Sequence, residues 1–350
     1  MTGNASAIVV QLAGVPEAAL SARGRAVLQT LVDHVSRYPR TPVRVFDVPV
    51  AGRKRRIRLK LEGESPWHSV KGRTAIGLLA SLTGRMTTDS TVVESTSGNL
   101  GVALAGLCRA NGVRFIAVVD DRLPSVMRRR IAEQGADVVV ADHATAQGDR
   151  LAARMQRVDA IAADPRILWP NQYDNPANPL THELWTGPEF LEQVPQAQAI
   201  FVGASTGGTL AGCLRAARAC GRPTKVVGVD VEGSRVFGGP AGERVLTGIG
   251  ASRVSSHVNP AMCDAVETVI GWDSVRQCRR WKGATGLGLG GSSGAVLAAA
   301  MRHLSGHDDL TDVACLCPDL GDNYADTIYH DRWVADHFAD AWTSEREPGV

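Results

Sequence analysis

The sequence predicts an α/β protein of two open, twisted, mostly parallel-sheet lobes with a cofactor cleft between them. Three observations carry that expectation. The chain has 350 residues, enough for two domains at roughly 150 residues each. Short, continuously apolar runs alternate with helical patterns, as strands do when crossover helices cover both faces of their sheet. The alternation comes in two series, 65–170 and 198–320. The stretch 171–190 (NQYDNPANPLTHELWTGPEF) separates them, carries three prolines, and reads as a linker followed by a helix start.

The elements follow in order. The basic run Arg53-Lys54-Arg55-Arg56 precedes the alternating Ile57-Arg58-Leu59-Lys60-Leu61. It reads as a solvated hairpin turn and a half-exposed strand. In the first series, strands fall at 91–96, 114–120 and 136–142, with helices at 99–111 and 124–134. In the second, strands fall at 199–205, 225–231, 267–272 and 312–318, with helices at 207–219 and 292–304. Strand, helix, strand repetition implies right-handed crossovers. The expected division is an N-terminal segment, 1–62, packing mainly on the C-terminal lobe, a smaller lobe at 63–175, and a larger lobe at 176–342. The last eight residues, 343–350 (TSEREPGV), read as a frayed tail.

Composition narrows the function. Hydrophobic residues make up 44% and charged residues 21%, so a large core forms and wholesale disorder is excluded. A net charge of +2 gives no electrostatic reason for a nucleic-acid partner. No apolar run reaches the ~18 residues of a membrane span. The start, MTGNASAIVVQLAGVPEAAL, lacks the basic region and cleavage site of a signal peptide, so the cytoplasm is expected. The seven cysteines are odd in number and dispersed, so buried reduced thiols are expected rather than a disulfide framework. Cys315 and Cys317 have no second ligand pair nearby, and no metal site is expected.

Four segments could carry chemistry. Glu94-Ser95-Thr96-Ser97-Gly98-Asn99-Leu100-Gly101 follows a strand and opens a helix. Unsatisfied N–H groups and hydroxyls there suit a carboxylate, and an ordinary N-cap is the plainer reading. Gly203-Ala204-Ser205-Thr206-Gly207-Gly208-Thr209 joins a strand to a helix. Its glycines admit a phosphate closely, although no Gly-Lys-Ser/Thr ending makes it a P-loop. Gly286, Gly288 and Gly291 form a literal G-x-G-x-x-G. No clear strand precedes it and no acidic ribose anchor follows, so a serine-rich helix start describes it better. Ser65-Pro66-Trp67-His68-Ser69-Val70-Lys71 places a lysine before a helix. A phosphate cradle, a carboxylate loop and a lysine are the parts that pyridoxal 5′-phosphate (PLP) needs.

The order and wording of these segments resemble the PLP-dependent cysteine synthase / cystathionine β-synthase family, of fold type II, over roughly residues 40–330. Ser69-Val70-Lys71-Gly72-Arg73 resembles its Schiff-base lysine motif, and Thr96-Ser97-Gly98-Asn99 its substrate loop. Asn171-Gln172-Tyr173-Asp174-Asn175-Pro176-Ala177-Asn178-Pro179, followed by Thr186-Gly187-Pro188-Glu189, is a long match. The resemblance implies that Lys71 holds PLP and moves the α-proton, and that Asn99 bonds the cofactor's 3′-oxygen. It implies that Thr96, Ser97, Gly98 and Gln172 receive the substrate carboxylate. It further implies that Ser205, Thr206, Gly207, Gly208 and Thr209 bind phosphate, and that Ser292 contacts the ring nitrogen. A serine there, unlike an aspartate, would leave that nitrogen largely unprotonated. The implied chemistry is β-replacement on an O-activated L-serine through an aminoacrylate, in a homodimer.

Departures set the branch. Leu100 stands where cysteine synthases usually carry Thr, Gly72 where Asp is common, and Trp67-His68 where small residues are usual. Ser205 replaces a glycine, and the late segment Pro318-Asp319-Leu320-Gly321-Asp322-Asn323-Tyr324 is more acidic. Ser-Gly-Asn-Leu-Gly resembles the branch that joins O-phospho-L-serine to L-glutamate, giving N-(2-amino-2-carboxyethyl)-L-glutamate, a 2,3-diaminopropionate precursor. A phosphorylated donor would want cations, and Arg73, Arg122, Arg128 and His68 lie near the motifs in sequence. Cysteine synthesis from sulfide is the alternative. A non-catalytic binding subunit and a nicotinamide oxidoreductase stand as readings from other classes.

Overall fold

The computed structural model describes residues 2–146 and 149–346. In chain order they form α1 (Thr2–Ala13), α2 (Ala22–Arg37), β1 (Val43–Val50), β2 (Arg53–Leu61) and α3 (Lys71–Ala80). Next come β3 (Thr91–Ser95), α4 (Asn99–Ala110), β4 (Arg114–Val119), α5 (Ser125–Glu133), β5 (Asp137–Val140), α6 (Arg150–Ala162) and β6 (Ile167–Leu168). Then follow α7 (Ala177–Thr181), a π-helix at His182–Thr186, α8 (Gly187–Gln193), β7 (Ala199–Gly203) and α9 (Gly208–Ala219). The chain continues through β8 (Lys225–Val231), β9 (Ala265–Val269), α10 (Gly271–Thr285), α11 (Gly291–Gly306), β10 (Asp312–Cys317) and α12 (Asp331–Arg346).

Two compact units result. The first takes the described residues of Met1–Arg40, Ser65–Glu189 and Thr206–Ala216. Its sheet runs β5-β4-β3-β6, with every pair parallel. Strand alternation sends Val92, Ala117 and Val119 into a core with α1, α2, α3 and α4. Val93 and Val118 meet Ala153 and Val158 of α6 on the other face. Burial on both faces explains why these strands read as unbroken apolar runs. Ser21 caps α2 by accepting from Gly24 N at 2.9 Å. Asp149 caps α6 by accepting from Leu151 N at 2.9 Å. Such caps satisfy N–H groups that a helix start leaves without partners.

The second unit takes Thr41–Glu64, Phe190–Ser205 and the described part of Ala217–Val350. Its sheet runs β1-β2-β10-β7-β8-β9. Only β1, antiparallel to β2, departs from the parallel arrangement. Ile57, Leu59, Phe201, Val229, Val313 and Cys315 pack with Val275, Val296 and Ala300 of α10 and α11.

Several expectations change. The segment 1–62 does not pack as one piece: α1 and α2 bury Val9, Leu12, Leu28 and Leu31 in the first unit, while β1 and β2 join the second unit's sheet. The first unit reaches Glu189 and also includes Thr206–Ala216, so 175/176 is not the division. The stretch 171–190 is no linker, since Asn178, Thr181, His182 and Thr186 are buried. The expected hairpin and half-exposed strand are present, with Arg53, Lys54 and Arg56 exposed, but the basic run lies in β2 rather than in the turn. The turn is Ala51-Gly52, with φ 48° and 72°, and β2 pairs along both edges. Arg55 and Lys60 are buried in it. Lys60 Nζ donates to Thr41 O at 2.7 Å and Gln193 Oε1 at 2.6 Å, which supplies the partners a buried ammonium requires. Residues 343–346 continue α12, and 347–350 lie outside the described residues.

The G-x-G-x-x-G pattern is also explained. Gly286 (φ 75°) ends α10 in the left-handed conformation, its N–H donating to Lys282 O at 2.8 Å, and α11 begins at Gly291. No strand–turn–helix unit contains it, which removes the basis of the nicotinamide reading. Of the seven free cysteines, five are buried, Cys263 is half-buried and Cys220 is exposed, so the expectation of buried thiols fails at Cys220. Among the described residues no helix is long and apolar enough to cross a membrane.

Candidate active site

Lys71 is the first residue of α3. A tight turn delivers it: His68 N–H donates to Ser65 O at 2.9 Å, and exposed His68 adopts φ 55°. Gly72 is forced by packing, since a Cβ there would lie 2.5 Å from Trp67 Cδ1 and 2.7 Å from Tyr38 Oη. Trp67 also rests on Gly106. The departures at Trp67 and Gly72 are therefore one packing solution, and Trp67 is spent on the core.

The Lys71 side chain is half-buried and makes no hydrogen bond or ion pair among the described residues. Burial lowers its pKa to about 8, opposed by the charge of Glu94. Glu94 is buried on β3 and accepts from Ser95 N at 2.9 Å, Gln172 N at 3.1 Å and Trp169 Nε1 at 3.3 Å. Burial pushes its carboxyl up to about 8 against these donors and Arg154. Arg154, itself buried, pairs with Asp120 at 3.3 Å.

The loop 96–99 is built on one hydroxyl. Thr96 Oγ1 accepts from Gly101 N at 2.9 Å and Gly98 N at 3.1 Å, and the Thr96 N–H donates to Val118 O at 2.9 Å. The Thr96 hydroxyl is committed to shaping the start of α4, where Gly98 takes φ 140°, and its N–H ties the loop to β4. Ser97 is exposed and Asn99 half-buried at that helix start. Buried Gln172 donates from Nε2 to Ser95 O at 2.7 Å.

Two residues without assigned roles knit the first unit's segments. Asn178 Nδ2 donates to Gln172 O at 2.7 Å and Thr206 Oγ1 at 3.1 Å. His182, in the π-helix, has Nε2 3.0 Å from Thr74 Oγ1 and 3.3 Å from Thr209 Oγ1, with Nδ1 2.8 Å from Thr186 Oγ1. Burial, then the charges of Lys71 and Arg73, hold its pKa well below the usual value, so the ring is neutral. Gly207 (φ 91°) turns the chain into α9, and a Cβ on Gly208 would collide with the Asn178 amide. The first N–H groups of α9 have no intrahelical acceptors.

Arg73 does not serve as a phosphate cation. Its buried guanidinium donates to both carboxylate oxygens of Glu189, at 3.0 and 2.8 Å, and lies 4.7 Å from the Trp185 ring centre and 5.3 Å from that of Tyr38. This explains Glu189 in the Thr-Gly-Pro-Glu match. Arg122 and His68 are exposed, and Arg128 is half-buried.

Ser205 and Ser292 belong to the second unit. Ser205 Oγ donates to Gly250 O at 3.1 Å. Ser292 is buried in the first turn of α11, with Oγ 3.4 Å from Asp319 Oδ1.

These residues fit PLP. An aldehyde needs an uncommitted amine, and Lys71 has one. Buried Ser69 Oγ, two residues earlier, and Asn178 Oδ1, against Gly208, have no hydrogen-bond partner among the described residues. A cradle closed to any Cβ at Gly208 suits an anion bound by backbone N–H groups. A lysine so presented on a parallel α/β scaffold is characteristic of fold type II PLP-dependent enzymes, and the chain is a member. Residues 36–319 match the family described as pyridoxal-phosphate dependent enzyme.

Relatives narrow the likeness. The N-(2-amino-2-carboxyethyl)-L-glutamate synthase of Ralstonia nicotianae is 35% identical over 314 residues, 88% of this chain and 92% of that protein. The enzyme of the same name from Cupriavidus metallidurans is 38% identical over 284 residues, 79% of this chain and 83% of that protein. A crystal structure of the O-acetylserine dependent cystathionine β-synthase from Helicobacter pylori superposes with a TM-score of 0.75 at 27% identity. It covers 83% of this chain and 96% of that one.

Proposed function

We propose that the chain joins an O-activated L-serine to L-glutamate by β-replacement, giving N-(2-amino-2-carboxyethyl)-L-glutamate. The observation that carries the reading is the Lys71 amine, uncommitted and with its pKa lowered to about 8. The two relatives that bear this product's name support glutamate as the acceptor.

Lys71 would hold PLP, Asn99 its 3′-oxygen, Ser205, Thr206, Gly207, Gly208 and Thr209 its phosphate, and Ser292 its ring nitrogen. PLP bound there supplies an electron sink that acidifies the α-hydrogen of the amino acid. The Lys71 amine, neutral above about pH 8, would take that α-proton as the ester oxygen leaves the β-carbon with its bonding electrons, and would return it once the glutamate amine, giving up a proton, has added there. Ser97, Gly98 and Gln172 would receive the substrate carboxylate. Thr96 would serve by holding Gly98 and Gly101 in place. The family resemblance supports a cytoplasmic homodimer.

The test is to mix PLP-loaded protein with O-phospho-L-serine or O-acetyl-L-serine, adding L-glutamate or sulfide, and identify products by mass spectrometry. The expected result is the glutamate adduct from one ester. Cysteine from sulfide, with no glutamate adduct, overturns the acceptor. No product from either ester overturns the catalytic reading.

A further inference from the structure

Next to its last residue, β3 carries an acid that the proposed mechanism does not use. Glu94 is fully buried, and three N–H groups converge on its carboxyl. Oε1 accepts from Ser95 N at 2.9 Å and Trp169 Nε1 at 3.3 Å. Oε2 accepts from Gln172 N at 3.1 Å. Gln172 directly follows Asn171, whose φ is 49°. That conformation is uncommon outside glycine and persists where the surroundings hold it. Here the surroundings close a ring. The Glu94 carboxyl joins the Ser95 and Gln172 N–H groups, and the Gln172 side chain returns from Nε2 to Ser95 O at 2.7 Å. Asn178 Nδ2 holds the Gln172 carbonyl at 2.7 Å. Both polar groups of the Ser95 backbone are thus tied to Glu94 or Gln172, immediately before the 96–99 loop.

We propose that Glu94 is a positioning residue that sets Gln172 and the 96–99 loop for the substrate carboxylate. The inference rests on Gln172 and that loop receiving the carboxylate, and deepens that reading. Three N–H donors in one buried place need a side chain with two oxygens, and an amide supplies only one. In Glu94→Gln the amide oxygen keeps the two donors on the Oε1 side. The amide N–H groups then face Gln172 N, donor against donor. A buried N–H without an acceptor is destabilised, so Gln172 leaves its place. Glu94 itself does not repel the ligand, because burial pushes its carboxyl up to about 8 and it is mostly protonated at pH 7. A protonated carboxyl still accepts N–H groups.

The experiment titrates PLP-loaded protein at pH 7 with L-serine and with L-serinamide, which has a carboxamide in place of the carboxylate. Cofactor absorbance gives both affinities, each taken per unprotonated amine. The parent is expected to prefer L-serine. In Glu94→Gln that preference falls at least about tenfold, with covalent PLP retained; a merely structural role would weaken both ligands alike. A preference unchanged in Glu94→Gln, or both ligands weakened equally, overturns this inference alone. A parent that holds PLP on Lys71 and binds both ligands equally overturns the carboxylate assignment with it. A parent that takes up no covalent cofactor overturns the proposed function as well. Should Glu94→Gln fail to fold or to hold PLP, the Trp169 indole N–H resonance of the PLP-loaded parent decides, assigned by its loss in Trp169→Phe. It is expected to move further with L-serine than with L-serinamide, and an equal response to both overturns the inference.

Discussion

The Glu94 charge opposes the burial that lowers the Lys71 pKa, and the sign of each group's shift makes a prediction. Burial lowers the Lys71 pKa to about 8. Covalent uptake of PLP by the cofactor-free protein should therefore rise with pH and level off above about 8. Stopped-flow absorbance checks this, and a rate still climbing at the ordinary lysine value of 10.5 would contradict it. Burial raises the Glu94 pKa from 4.5 to about 8, so its stabilising share is full below 4.5 and is lost as pH rises through about 8. Glu94→Gln escapes that loss. Its melting temperature relative to the parent should rise by about 2–6 °C across that window, followed by calorimetry. The Lys71 motif was legible because its wording is specific. Glu94 stood in a quoted segment, but only its burial gives it weight. The structural part played by Thr96 was not legible, because sequence does not show that its hydroxyl accepts from the N–H of Gly101 in α4.

Helix α3 depends on contacts that no local pattern encodes. Gly72→Ala drives a methyl into Trp67 and Tyr38 and should cost about 1–3 kcal/mol. Trp67→Ala in the same chain should return part of the loss, measured by denaturant unfolding as a double-mutant cycle. Glu189→Gln removes the carboxylate that pairs with the buried Arg73 guanidinium, and should cost about 3–5 kcal/mol by the same assay. The buried strands β3, β4, β5, β7, β8, β9 and β10 were readable from their apolar runs, within about three residues at each end, whereas the edge strands β1 and β6 were not placed and β2 begins four residues before the alternating stretch. Helices α1, α2, α6, α10 and α12 were not placed: charge interrupts the apolar stripes of the last four, and α1, which carries no charge, was read only as a mildly apolar start. The π-helix at His182–Thr186 was read as linker, since three prolines and polar side chains conceal its burial against Gly187 and Gly212.

The whole chain was legible as two α/β units, and its cofactor as PLP, because glycine–hydroxyl turns follow strands in a fixed order. The exact division was not, since Thr206–Ala216 returns to the first unit across a long sequence separation. A ligand that binds only the folded chain stabilises it, by about 2.7 kcal/mol at a hundredfold excess over Kd. PLP should therefore raise the melting temperature of the parent, and do so far less in Lys71→Ala. A shift of equal size in both would contradict a covalent role for that amine. Borohydride reduction of the PLP-loaded protein followed by peptide mass mapping tests that role most directly. The account predicts the cofactor's mass on the peptide containing Lys71, and none there in Lys71→Ala. Its appearance instead on Lys54, Lys60, Lys225 or Lys282, or on no lysine at all, would contradict it.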